Sequence, residues 1–249
     1  DVAVVPSADG TSVERYYVSE YGGNDRVSAF DGAGNFLFAF GGPSRDALTE
    51  EDIAAGAVFP EDDGDGQPGG RGSGGREPVG DVEFNRPQSI AWDAERGELI
   101  VVDACNHRVG RFTAEGALIA WYGARDGRAF VPGQGAGEFS YPYGLALVGD
   151  GTALVMELGN ARVQRIDLAT GASVGVYGVP GVRPGRLATP WGVALARDRG
   201  EREVYALDSG NNRVQVFELP RPRMVMGALP GGGAGPGATG SGTSSGVAR

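Results

Sequence analysis

Residues 103–109 read DACNHRV, and the pattern returns as ELGNARV at 157–163, DSGNNRV at 208–214 and, with one residue more, EYGGNDRV at 20–27. An acid, an Asn, an Arg and a Val at one spacing, met four times in a chain, restrict the fold to a stack of like units. Each copy follows a short apolar run, YYVS, LIVV, ALVM or VYAL, and each leads into another, VSAF, VGRF, VQRI or VQVF. Runs of this length bounded by turn residues predict strands.

Two further signatures share the period. FNRPQSIAW (84–92), FSYPYGLAL (139–147) and LATPWGVAL (187–195) read as an apolar residue, two variable ones, Pro, a variable residue and a small one before an apolar strand. GNFLFAFG (34–41), GALIAWYG (116–123) and GASVGVYG (171–178) read as turn and strand. One unit is therefore strand, turn, strand, Asn turn, strand, Gly turn, strand. Pro at the head of a strand removes no essential ladder bond. The small residue two places on lets another backbone come close. Asn caps turn backbone groups with its side chain and tolerates the left-handed region. Four-stranded antiparallel units that cannot bury both faces alone predict an all-β fold of blades stacked around an axis.

The combination P-x-[GS]-Φ-A with [DE]-x-x-N-x-R-V and a closing Gly resembles the NHL repeat, of bacterial type, over residues 1–42 and 84–219. That resemblance implies a β-propeller with four NHL-like blades visible. Such propellers usually close six blades, so it implies an arc of a larger ring. DVAVV (1–5) aligns with SIAWD (89–93), which puts the first unit's proline before residue 1 and implies a chain that starts inside a longer reading frame. The predicted organisation is a first blade at 1–42, an acidic and Gly-rich insertion at 43–83, three further blades over 84–227, and a disordered Gly/Ser/Pro tail at 228–249. Within these, residues 49–59 predict a short helix and RMVMGAL (223–229) the outer strand of unit four.

Composition narrows the function. The net charge is −10, which disfavours the phosphate neutralisation that nucleic-acid binding needs. NHL-type modules include RNA binders, yet the acidic balance makes nucleic acid the least favoured partner. No run approaches the roughly 18 apolar residues of a membrane span. One Cys forms no internal disulfide and leaves the compartment open.

Cys105 and His107 stand two apart beside Asp103 and could form a thiol–imidazole pair. Set against the other copies, both occupy variable positions: Cys105 matches Gly159 and Gly210, and His107 matches Asp25, Ala161 and Asn212. The repeated acids, Glu20, Asp103, Glu157 and Asp208, precede Arg26, Arg108, Arg162 and Arg213, which predicts a carboxylate–guanidinium clamp across each turn. Asn24, Asn106, Asn160 and Asn211 complete that motif. The other use of Asp103, Glu157 and Asp208 is a ring of carboxylates open to a cationic ligand. Meander topology places the Asn turns and the Pro-bearing lead-in loops at one end, so Tyr141, Tyr143 and Trp191 share that rim.

The expected function is a non-enzymatic propeller scaffold that binds a protein or small ligand on this face, with no catalytic residue and no cofactor. The alternative is a calcium-dependent propeller lyase or lactonase using Asp, Glu and Asn of the central channel. Glu61-x-Asp63-x-Asp65-Gly66 resembles the front of a calcium loop, but Gly72 stands where the twelfth ligand belongs.

Overall fold

Continuous apolar runs, LIVV at 99–102 and ALVM at 153–156, are buried on both sheet faces, so each of these blades packs against a neighbour on either side. The computed structural model describes residues 1–21, 24–41, 82–126, 129–198 and 201–219. Residues 43–81 of the insertion predicted at 43–83, with the predicted helix and calcium-loop resemblance, and the outer strand and tail predicted beyond residue 219, lie outside the described residues.

Blade one consists of β1 (Val2–Pro6), β2 (Val13–Glu20), β3 (Arg26–Asp31) and β4 (Phe36–Phe40). Blade two consists of β5 (Pro87–Asp93), β6 (Glu98–Asp103), β7 (Arg108–Thr113) and β8 (Leu118–Tyr122). A two-stranded hairpin, β9 (Arg125–Asp126) and β10 (Ala129–Phe130), follows it. Blade three holds β11 (Pro142–Leu147), β12 (Thr152–Glu157), β13 (Arg162–Asp167) and β14 (Ser173–Tyr177). Blade four holds β15 (Gly192–Asp198), β16 (Glu201–Asp208) and β17 (Arg213–Glu218) among the described residues. Every sheet is an antiparallel meander in chain order. The protein is all-β, built of β-propeller blades.

The registers coincide from blade to blade. Val102 faces Ser89 and Val109, Met156 faces Gly144 and Val163, and Leu207 faces Gly192 and Val214. In blade one Val2 faces Val18 as Ile90 faces Val101, so DVAVV and SIAWD occupy the same place.

Three apolar clusters fill the three junctions between blades. The apolar residue that opens each lead-in signature is the plug: Phe84, Phe139 and Leu187 are buried, one in each cluster. Full burial of such a side chain stabilises by about 1.5–3 kcal/mol. The Gly that ends an outer strand makes room for a plug. A Cβ on Gly41, at φ 69°, would lie 2.1 Å from the ring of Phe84. Among the described residues no helix is long and apolar enough to cross a membrane.

Candidate functional site

The repeated acids are the nodes that hold the Asn-turn end of each blade together. Asp103, Glu157 and Asp208 are fully buried. Asp103 accepts the backbone N–H of Asn85 at 2.6 Å, the Asn106 amide at 2.8 Å and Nε of Arg108 at 2.7 Å. Glu157 accepts from Ser140 N–H at 3.1 Å, Asn160 at 2.5 Å, Arg162 at 2.6 Å and Gln164 at 3.3 Å. Asp208 accepts from Ala188 N–H at 2.7 Å, Asn211 at 2.9 Å, Arg213 at 2.7 Å and Gln215 at 2.9 Å. Each Arg and Asn then donates onward to lead-in carbonyls: Asn106 and Arg108 to Glu83, Asn160 to Gly133, Arg162 to Gln134 and Glu138, Asn211 to Gly181, and Arg213 to Arg183 and Arg186. The clamp is thus a three-way joint of strand end, Asn turn and lead-in loop. Spacing alone signals only the turn half, because the lead-in donors are backbone groups with no residue signature.

Burial sets the acids apart electrostatically. Desolvation pushes Asp103 up to about 6, against Arg108, the Asn85 N–H and Asn106, which favour the ionised form. Desolvation also raises Glu157, against Arg162 and Asn160. At Asp208 burial pushes the same way, but the N–H of Ala188 with Asn211, Arg213 and Gln215 outweighs it, and the carboxyl sits below its ordinary value. Glu20 is likewise low: Ser28, Arg26 and Asn24 overcome its desolvation.

The left-handed residue of the turn is not the motif Asn. It is the variable residue that follows: Asp25, His107, Ala161 and Asn212 have φ of 43°, 54°, 49° and 51°. The Asn stays in ordinary backbone space because its role is hydrogen bonding. The left-handed position also reaches the next blade. Oδ1 of Asp25 accepts the N–H of Arg86 at 3.0 Å, and Nδ1 of His107 accepts the N–H of Tyr141 at 3.1 Å. Arg86 and Tyr141, each just before a lead-in proline, are left-handed as well, with φ of 58° and 46°. Backbone strain of about 1–3 kcal/mol per such residue persists only where neighbours hold it, and these cross-blade bonds do so. His107 is therefore an inter-blade latch, a role its variability among the repeats conceals. Its neutral form is the acceptor, and burial lowers its affinity for a proton.

Cys105 lies half-buried in the same turn. Burial pushes its thiol up, with Asp103 and Asp25 acting in the same direction against Arg86. A thiol held in its protonated form beside an imidazole already engaged with Tyr141 has the opposite of an activated nucleophile's surroundings.

The structure separates the three aromatic candidates. Tyr141 packs edge-on against His107, ring centres 4.5 Å apart, between blades two and three. Tyr143 and Trp191, which occupy the place just after the lead-in proline in blades three and four, meet edge to face at 5.3 Å. Trp191 is 50% exposed. Together with Asp1, Gln88, Ser89 and Val193 these two rings line an open cleft of about 370 Å³ at the head of the inner strands. Gln88 holds the same place in blade two. The carboxylate of Asp1 is tied to the Ser89 hydroxyl at 2.7 Å and the Ile90 N–H at 3.2 Å.

The cleft floor depends on the small residue of the signature. A Cβ on Gly144 would lie 2.9 Å from the Val193 nitrogen and 3.0 Å from Cα of Gly192, so β11 and β15 approach there backbone to backbone. A second cleft, about 300 Å³, lies at the opposite strand ends between blades two and three, with Trp92, Asp93, Leu147 and Leu168 in its wall. No repeated motif converges on it. Among the described residues no three His, Cys, Asp or Glu side chains gather as a metal site would need.

The NHL repeat family model matches residues 84–112, from the lead-in plug of blade two through its third strand. No curated protein matches the chain in sequence. Among solved structures, virginiamycin B lyase from Staphylococcus aureus is 14% identical with a TM-score of 0.48, over 89% of this chain and 56% of that one. Sqt1 from Saccharomyces cerevisiae is 13% identical with a TM-score of 0.49, over 88% and 46%. A nidogen/laminin complex gives 14%, 0.45, 83% and 56%. The chain thus spans about half the length of each of these three. With the NHL match on blade two and the same motif, register and lead-in plug in its neighbours, the chain carries an NHL repeat within a fold of β-propeller blades.

Proposed function

We propose that this chain is a non-enzymatic binding module that captures a protein segment or small ligand on the face built by the Asn turns and lead-in loops. The observation that carries this reading is the Tyr143–Trp191 pair at the mouth of the 370 Å³ cleft. Within an otherwise repeated signature, the residue after each lead-in proline varies as Gln88, Tyr143 and Trp191, and all three line this one cleft. Positions alike in geometry but different in chemistry suit selection of a ligand. A half-exposed indole beside a phenol offers apolar area together with a hydrogen-bonding group. The carboxylates of the same face serve the fold: their oxygens are taken up by Asn, Arg and backbone donors.

A thermal-shift and Trp-fluorescence screen of small molecules and peptides against the intact chain tests this reading. Ligands found in that way are expected to lose at least tenfold in affinity for Trp191→Ala and Tyr143→Ala, about 1.4 kcal/mol, with the melting temperature of the free protein little changed. Ligands that bind both variants as tightly as the parent would sink the assignment.

A further inference from the structure

The four arginines of the repeated turn are taken up within the fold, each by the acid of its own blade: Arg26 by Glu20, Arg108 by Asp103, Arg162 by Glu157 and Arg213 by Asp208. Arg96, Arg111 and Arg165 are likewise paired, with Asp93, Glu98 and Asp150. Arg86 differs. It is half-buried just before the lead-in proline of blade two, and among the described residues no carboxylate forms an ion pair with it.

The backbone of Arg86 is fixed from two sides. Its N–H is held by Oδ1 of Asp25 at 3.0 Å, and its carbonyl accepts the N–H of Ala104 at 3.1 Å. All three residues before a lead-in proline, Arg86, Tyr141 and Thr189, are left-handed, so the backbone belongs to the repeat and the side chain is the variable part. The guanidinium of Arg86 lies beside the phenol of Tyr143 in blade three and near the thiol of Cys105. Burial keeps that thiol protonated, so it offers Arg86 no counter-charge. Tyr143 in turn meets Trp191 at 5.3 Å. A cation, a phenol and an indole thus follow one another across the heads of blades two, three and four. Blades two and three each pack against a blade on either side, so the meeting of Arg86 with Tyr143 is internal to the stack. Asp1 also lines the cleft, with its carboxylate held by the Ser89 hydroxyl and the Ile90 N–H.

We propose that the ligand of this face carries a carboxylate, received by Arg86 beside the Tyr143 hydroxyl, and an apolar body that lies along Tyr143 and Trp191. This inference rests on the binding reading above and adds the ligand's chemical class to it. A planar guanidinium matches a carboxylate in shape as well as in charge, and the phenol supplies a further donor. The net charge of −10 repels a polyanion, so a single carboxylate on an apolar body suits the site where a chain of phosphates does not.

Phenylacetate and its uncharged counterpart phenylacetamide, titrated against the intact chain by ligand-observed NMR, test the proposal. The acid is expected to bind at about 1–10 mM, and the amide about tenfold more weakly. Arg86→Gln should bring the acid down to the level of the amide and leave the amide as it was, whereas Arg86→Lys should keep part of the preference. Both substitutions preserve the backbone bonds to Asp25 and Ala104, so circular dichroism of each should match the parent. The parent at about 1 M salt reads the same contact without any substitution, and there the acid should lose most of its advantage. An amide bound as tightly as the acid, or a preference that survives Arg86→Gln, overturns the inference. So does the failure of both probes to bind at about 20 mM. Trp191→Ala and Tyr143→Ala keep the two readings apart. Acid and amide that bind the parent equally and are both lost in these variants leave the face assignment standing and remove the carboxylate. Probes that bind these variants as tightly as the parent sink the face assignment, and this inference with it.

Discussion

Nδ1 of His107 accepts the backbone N–H of Tyr141, 3.1 Å away, across the boundary between blades two and three. The bond requires a neutral imidazole, and burial holds His107 in that form by lowering its pKa below 6.5. A base whose folded pKa is depressed contributes stability above its unfolded pKa and loses it as pH falls through the folded one. Asp103, raised to about 6, runs the other way: it favours the folded state below the carboxyl's unfolded range and loses that contribution as pH rises past about 6. Only a difference measurement isolates the histidine.

The variant for that purpose is His107→Asn, since Asn occupies the same left-handed place at 212 and keeps an acceptor. Near pH 8 it is expected to match the parent, whereas the parent alone loses ground as pH drops to about 5. His107→Ala, with no acceptor, is expected to cost about 1–2 kcal/mol at pH 8. Urea melts at both pH values decide it. Equal pH dependence in the parent and the Asn variant would remove the latch from the account.

Burial decides the worth of each clamp. Arg162 neutralises a fully buried Glu157, so Arg162→Ala leaves an uncompensated interior charge and is expected to cost about 3–5 kcal/mol. Arg26 and Glu20 form the same pair at 22% and 24% side-chain exposure in blade one. Arg26→Ala should cost no more than about 1 kcal/mol. Chemical denaturation of the two variants side by side checks the ranking, and equal losses would contradict it.

The two glycines after the lead-in prolines are expected to respond differently to one methyl group. Gly144→Ala meets the backbone of β15 at 2.9 Å, where nothing can rotate away, and should destabilise by about 1–3 kcal/mol. Gly192→Ala meets only the Leu207 side chain at 3.8 Å, an ordinary contact, and should be nearly neutral. Thermal melts of both variants read the difference.

Calcium separates the binding reading from a lyase or lactonase of the calcium-dependent kind. With the oxygens of Asp103, Glu157 and Asp208 engaged by internal donors, millimolar calcium is expected to leave the melting temperature unchanged. A saturable rise that Asp103→Asn or Glu157→Gln abolishes would favour the metal-dependent alternative.

Much of the fold is legible along the chain because its causes are local. Short apolar runs, the acid–Asn–Arg–Val turn and the Pro and Gly punctuation act over a few residues, and identical spacing imposes identical register, down to DVAVV on SIAWD. The pairing of Asp103 with Arg108 follows from the same short range.

What joins one blade to another is decided by tertiary structure. The N–H of Asn85 on Asp103, His107 on Tyr141 and Tyr143 against Trp191 bring together groups from separate strands or separate blades. Their meeting depends on how sheets twist and stack, which spacing does not encode. Solvent exclusion is also a property of the stack. The same motif holds a fully buried Glu157 in blade three and a partly exposed Glu20 in blade one, so only the packed structure turns one repeated acid into carboxylates of different strength.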